Sequence, residues 1–385
     1  PHLASFWSCP SMRRSFRDTE LGTVTLLHMR PIHPTLLCLL GLILLFGCRK
    51  ESSSNDDPGS GGQTPFTLHV PIWVDTAVGP QHEAPGNPLT FEGIALGRRL
   101  FHDVLLSDDY TQSCATCHKQ ANGFSDPAQF STGTNGAHGT RNAMAVINLG
   151  WDGRFFWDGR RNTLEEQAHD PVTNPIEMRN TWPEVVARLQ AHADYPGLFE
   201  RAFGTPDIDS NKVVMAIAQF ERTLLSFNSR FDRLRYMGDS SALNEQEYRG
   251  LDIFMRDGHC VDCHTEPLFS DPGMRNTGLE LIAVDSGLAA ITGNPADIGK
   301  FKVPTLRNIA QSAPYMHDGR FATLEEVVNF YAHDVQITLP NLDGHMDPWR
   351  FGLVNLSPQN EADLVAFLHT LTDTAFLTNP ALGPP

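Results

Sequence analysis

Apolar residues recur at helical spacing in four stretches of the chain. Pro88-Leu89-Thr90 opens the first, with Thr90 able to cap a helix whose buried face carries Leu96, Leu100 and Phe101. In the second, Asn244 stands three residues before Glu247, a pairing that satisfies two backbone donors reciprocally, and Leu251, Phe254 and Met255 supply the stripe. Lys212 to Arg235 reads as one continuous helix with Val213, Ile217, Phe220, Leu224 and Phe227 packed in the core. Ser357-Pro358 starts the last, which buries Leu364, Phe367, Leu368 and Leu371. No run of alternating strand period reaches any length, so the chain is predicted to be mainly α, with long loops.

The N-terminal region follows a different pattern. Residues 1–28 have no apolar period and carry a basic cluster, Arg13, Arg14 and Arg17; they are read as an extension upstream of the native start, which is placed at Met29. Residues 29–48 then read as a secretory signal, with Arg30 ahead of an apolar run from Thr35 to Gly47 that is short for a membrane span. Leu45-Phe46-Gly47-Cys48 resembles a lipobox, which makes Cys48 the lipidated first residue of the mature chain; an uncleaved anchor is the alternative. Residues 49–65 are rich in Ser, Asn, Asp and Gly and read as a flexible tether, with folded structure resuming near Phe66. Either way the body of the protein is expected on the periplasmic side of a bacterial membrane.

Charge and cysteine usage narrow the field. The 385 residues carry a formal net charge of −16, which disfavours a nucleic-acid partner because little here would neutralise phosphates. Of seven cysteines, Cys9, Cys38 and Cys48 precede residue 50. The other four fall in two copies of one motif, so none is left for a disulfide framework in the mature part.

Those copies are Cys114-Ala115-Thr116-Cys117-His118 and Cys260-Val261-Asp262-Cys263-His264. Two thiols at this spacing can add to the two vinyl groups of a haem, and the adjacent imidazole can ligate its iron, as in covalent c-type attachment. A zinc site would need further paired ligands, and a thioredoxin-like redox pair needs no neighbouring histidine. Two covalently bound haems are therefore expected.

Their surroundings repeat as well. Arg141-Asn142 and then Asp158-Gly159-Arg160-Arg161-Asn162-Thr163-Leu164-Glu165-Glu166 follow the first motif. Arg307-Asn308 and Asp318-Gly319-Arg320-Phe321-Ala322-Thr323-Leu324-Glu325-Glu326 follow the second, in the same order, as an internal duplication would leave them.

With these features in place, the sequence resembles the bacterial di-haem cytochrome c peroxidase family, which includes the MauG enzymes. The likeness spans about Pro88 to Asp373. It is carried by Arg141-Asn142-Ala143, Phe156-Trp157-Asp158-Gly159-Arg160, Glu166-Gln167-Ala168, Pro175-Ile176-Glu177-Met178, Leu306-Arg307-Asn308-Ile309-Ala310 and Ala313-Pro314-Tyr315-Met316-His317-Asp318-Gly319. It implies two cytochrome c-like (class I) domains, a peroxidatic haem domain over 66–240 and an electron-transfer haem domain over 241–385. The implied activity is reduction of hydrogen peroxide to water, with electrons from a small cytochrome c or cupredoxin.

The resemblance also implies roles. His118 and His264 are the proximal iron ligands, Glu177 is the acid/base of the peroxide face, Gln167 is the pocket amide and Trp157 lies between the haems. Some relatives close the peroxide face with a histidine; His138 is in the right loop, but alignment on Arg141-Asn142 puts that position at Thr134, which suggests an open first haem. The sixth ligand of the second haem stays open between Met346 and Tyr331. Classical members use a methionine fourteen residues after His317, and Tyr331 stands there, as in the tyrosine-ligated MauG branch. A thioether would raise the haem potential and a phenolate would lower it. The family's calcium ion would be held by the Asn142 side chain and the Ser312 and Pro314 carbonyls, with His317 ordering this interface through hydrogen bonds. Relatives are often homodimers, and no motif here demonstrates one. Two rivals remain: a MauG-like oxidase that modifies a partner protein, and a non-catalytic electron-transfer cytochrome. The first is disfavoured because Asp257-Gly258-His259 puts no tryptophan before the second motif, the second because a simple relay needs no proton shuttle.

Overall fold

The computed structural model describes residues 63–82 and 84–385. The upstream extension, the signal with Cys48 and most of the tether lie outside them. The described residues belong to one compact unit. Its order begins earlier than Phe66: Thr64 donates its backbone N–H and its hydroxyl to Glu92 at 2.9 and 2.7 Å, and Pro65 bridges to Thr90.

Helices dominate, as the patterning predicts. They are α1 (Ile72–Val78), α2 (Phe91–Phe101), α3 (Cys114–Cys117), α4 (Leu164–Thr173), α5 (Trp182–Ala191), α6 (Tyr195–Phe203), α7 (Ser210–Glu221), α8 (Arg230–Met237), α9 (Glu245–Met255), α10 (Ala289–Thr292), α11 (Leu324–Asn329), α12 (Asp347–Arg350), α13 (Pro358–His369) and α14 (Thr374–Thr378). The only sheet among the described residues pairs two short strands antiparallel, β1 (Met274–Arg275) with β2 (Phe301–Lys302). No helix among these residues is long and apolar enough to cross a membrane.

The caps read from sequence form. The Thr90 side chain accepts from the Gly93 N–H, Asn244 and Glu247 complete a reciprocal pair, and Ser357 caps α13. The helix expected over Lys212 to Arg235 does not run through. It stops at Glu221 and restarts at Arg230, with Ser229 and Asp232 forming a capping box at the restart. Backbone groups of the break find distant partners instead of a helix: Ser226 N donates to Asn148 Oδ1 at 2.9 Å and Asn228 N to Asp373 Oδ2 at 2.9 Å.

Two large apolar clusters, with two small ones beside them, fill the interior. The first gathers Leu96, Leu100 and Phe101 of α2, Val213, Ile217 and Phe220 of α7, and residues of α4 to α6. The second gathers Phe254 of α9, Leu324 and Val328 of α11, and Leu364, Phe367 and Leu368 of α13. The chain crosses between them: Phe231 of α8 packs in the second, while Phe376 of α14 returns to the first.

The sequence repeat is visible in the backbone. Before the first motif α2 crosses α7 so closely that a Cβ on Gly97 would lie 1.8 Å from the Ala216 carbonyl; before the second, α9 crosses α13 with Gly250 placed 1.9 Å in the same sense from the Asp363 carbonyl. Only glycine permits either crossing. After the motifs, Phe124 and Phe269, and Asn148 and Asn308, hold matching positive φ, so the backbone counterpart of Asn308 is Asn148 and not Asn142, the match that the sequence repeat predicts.

A fully buried ion pair lies against Phe269 of the second cluster. Arg307 Nη1 and Nη2 meet the two Asp232 oxygens at 2.9 and 3.0 Å, and the guanidinium also donates to the Pro267 carbonyl.

Candidate functional site

Both five-residue motifs end in a histidine held the same way. His118 Nδ1 lies 3.0 Å from the Phe124 carbonyl and His264 Nδ1 lies 3.1 Å from the Phe269 carbonyl. A carbonyl only accepts, so each Nδ1 carries the proton and each Nε2 keeps a free lone pair for iron. Burial lowers both histidine pKa values, which keeps the imidazoles neutral and ligand-ready.

The first motif opens on a cavity of about 870 Å³ lined by Cys114, Cys117 and His118. The second opens on another lined by Cys260, Cys263 and His264. Burial pushes the Cys260 and Cys263 thiols up to about 12 and raises Cys114 and Cys117 too. That is opposite to the lowered thiol of a redox pair. No cluster of three or more His, Cys, Asp or Glu with metal-binding geometry occurs among the described residues. Two thiols and a neutral imidazole on one wall of a large, mostly apolar cavity fit a c-type haem at each motif.

The cavities share a wall. Trp157 lines both, and its indole N–H donates to the Asn142 carbonyl at 2.9 Å. Arg141 fixes this wall by pairing with Asp158 at 2.6 Å and with Asp285 at 2.6 Å. His317 joins this wall through its backbone. Its carbonyl, not its ring, accepts from Asn142 N at 2.7 Å, while the ring stacks on Phe301 at 3.8 Å between centroids.

Gln167 and Glu177 line the first cavity and not the second. Thr163 caps α4, which carries Gln167, and the turn after α4 carries Glu177. Asn174 Nδ2 donates to Glu177 Oε1 at 2.7 Å. Burial raises the Glu177 pKa, with Arg160 and the Asn174 hydrogen bond pulling the other way. Thr134 is buried and donates its backbone N–H to the Glu177 carbonyl at 2.9 Å, so this residue positions the Glu177 turn. His138 is exposed and does not line the cavity.

The second cavity is lined by both Tyr331 and Met346. Tyr331 stands in a single π-turn, Phe330–Asp334, and its carbonyl accepts from the Trp349 indole at 2.6 Å. Burial pushes the Tyr331 hydroxyl up to about 12. Asn142, Ser312 and Pro314 line the same cavity. Asn142 spends its amide N–H on the Ala128 and Gln129 carbonyls; its Oδ1 and the Ser312 and Pro314 carbonyls accept no hydrogen bond among the described residues.

Two lining residues escape the motif reading. Lys302 is buried and pairs with Asp152 at 3.0 Å. Glu221 ends α7 one turn after Ile217, and both line the first cavity. Its signal was the i, i+4 spacing from Ile217, which puts a carboxylate on an otherwise apolar stripe.

The comparisons with known proteins agree with this geometry. The family model described as Di-haem cytochrome c peroxidase matches residues 91–241. The chain is 38% identical over 299 residues to the methylamine utilization protein MauG of Methylorubrum extorquens, covering 77% of this chain and 83% of that one. It is equally 38% identical over 298 residues to the cytochrome c551 peroxidase of Nitrosomonas europaea, covering 75% and 83%. A crystal structure of a MauG-like protein associated with microbial copper homeostasis superposes with a TM-score of 0.74 at 35% identity, covering 83% of this chain and 99% of that one. The chain belongs to the di-haem cytochrome c peroxidase family.

Proposed function

We propose that the protein reduces hydrogen peroxide to two water molecules with two electrons from a small cytochrome c or cupredoxin, and that the two haem sites divide the work. The observation that carries this is an asymmetry. The carboxyl of Glu177 and the amide of Gln167 line the Cys114–His118 cavity alone, while Trp157 lines both. When bound, the haems would supply iron centres that exchange single electrons.

Glu177 takes a proton from one peroxide oxygen and returns it to the other, so the departing oxygen leaves as water; two protons from solvent and the two donor electrons convert the remaining oxygen to the second water. Gln167 orients the peroxide by hydrogen bonding. Trp157 occupies the wall across which electrons pass from the second site. Cys114, Cys117 and His118 hold the first haem and Cys260, Cys263 and His264 the second, in two cytochrome c-like halves. Tyr331 is favoured over Met346 as the second haem's further ligand, because it occupies the register fourteen residues past His317 and stands in a π-turn, a distortion that recurs at functional positions. Asn142 Oδ1 and the Ser312 and Pro314 carbonyls, three oxygens without hydrogen bonds from described residues, suit a calcium ion at the shared wall. The lipobox-like Leu45-Phe46-Gly47-Cys48 supports attachment to the periplasmic face of a membrane through Cys48.

The second reading is a MauG-like oxidase acting on a partner protein, favoured by Tyr331. The test is peroxide-dependent oxidation of a reduced small cytochrome c by the haem-loaded protein. Sustained turnover supports the peroxidase. Reduction of peroxide only in single turnovers, with oxidation of a protein substrate, supports the alternative.

A further inference from the structure

Glu221 lines the first cavity and has no part in the reaction above. Its side chain is 4% exposed, and Oε2, fully shielded, has no hydrogen-bond partner among the described residues. Four other acids of the cavity are ion-paired, Asp152 with Lys302, Asp285 with Arg141, and Asp318 and Glu280 with Arg320, while Glu177 holds the Asn174 hydrogen bond. The cation beside Glu221 is already engaged, because Arg222 pairs with Glu165 at 2.9 Å.

The groups facing Glu221 are few. Glu165 comes from α4 and Arg222 follows it in the chain. The two arginines near the end of α2 turn away, Arg98 to the carbonyls of Pro380, Gly383 and Pro384 and Arg99 to Asp194. On α6, Glu200 and Arg201 are exposed. On α3 stands Cys114, whose thiol is pushed up first by burial and next by Glu221, which puts the carboxyl within electrostatic reach of the haem attachment point. Glu177 is a further acid of the same cavity.

An ionised carboxylate buried without a partner is strongly disfavoured, so Glu221 rests protonated. Burial, the main cause, pushes its pKa up to about 8, with Arg222 lowering and Glu165 raising it. Adding a positive charge to the same dry pocket changes that balance, since the two opposite charges then offset one another.

We propose that Glu221 is the redox-linked proton carrier of the first haem. When the haem attached at Cys114 loses one electron to an oxidant, the Glu221 carboxyl releases one proton to water; on re-reduction it takes one back. The net charge of the pocket is thereby held constant through the cycle. This rests on the reading that Cys114–His118 hold a haem.

The experiment is spectroelectrochemical titration of the haem-loaded protein over a range of pH, resolving both haems, for wild type and Glu221→Gln. The proposal expects one haem potential to fall as pH rises through neutrality in wild type and to be flat over the same interval in E221Q. A pH-independent wild-type potential overturns it without recourse to the variant, and an unchanged slope in E221Q overturns it in favour of the haem propionates. Redox-difference infrared spectra give a second readout: a protonated-carboxyl C=O band lost on oxidation in wild type and missing from E221Q supports the assignment, and the same band in both contradicts it. Wild-type protein that carries haem only at Cys260–His264 would sink the haem reading itself, a result distinct from equal slopes.

Discussion

The indole N–H of Trp157 donates to the carbonyl of Asn142 at 2.9 Å, and both residues line both haem cavities. One hydrogen bond therefore fixes the ring in the wall between the two cavities. Replacing the indole by a phenyl ring removes that bond while keeping an aromatic filler. Trp157→Phe is expected to retain both haem spectra and to slow electron transfer between the sites about tenfold or more, which corresponds to roughly 1.4 kcal/mol of barrier. Stopped-flow re-oxidation of the reduced protein by peroxide measures it.

The second cavity is lined by two candidate ligands of opposite character. With Tyr331 as ligand, the oxidised protein lacks the near-infrared band of methionine-ligated haem, and Tyr331→Phe alters its spectrum. Met346→Ala leaves the spectrum in place. The reverse pattern would assign Met346.

Much of this was legible in the sequence, and the exceptions share a cause. Thr90, Asn244 and Ser357 announced their helices because a cap acts within three residues of itself. The break between Glu221 and Arg230 was hidden by an apolar stripe that continues through it, since its stabilising partners, Asn148 and Asp373, lie 78 and 145 residues away. The Ser229–Asp232 capping pair was the local signal that it stops. The haem motifs carried their chemistry in five residues each. The role of the Thr134 position did not follow from alignment, because Thr134 acts through its backbone on the Glu177 turn.

Asp232 and Arg307 form a bidentate pair with no solvent exposure. Asp232→Ala strands a buried guanidinium and is expected to destabilise the fold by about 3–5 kcal/mol. The double variant Asp232→Ala/Arg307→Met should recover part of that loss. Denaturant unfolding monitored by circular dichroism compares them.

Calcium at the shared wall makes a separate prediction. Chelation should lower the thermal midpoint and slow peroxide turnover, and added calcium should restore both. Asn142→Ala should remove the calcium dependence of the midpoint, because it deletes the one side-chain oxygen of the proposed shell. Differential scanning calorimetry with and without chelator provides the readout.

The central claim is that Glu177 moves the proton that lets peroxide break. Below its pKa, which burial lifts above the ordinary carboxylate range, Glu177 is protonated and cannot accept from peroxide. Wild-type turnover should therefore fall as pH drops through that raised value. The most direct measurement is steady-state oxidation of reduced cytochrome c by peroxide across this range, for wild type and Glu177→Gln at equal haem content. The account predicts a kcat lower by about 10²–10⁴ in the variant and loss of the acid limb. Equal rates and an unchanged pH profile would contradict it.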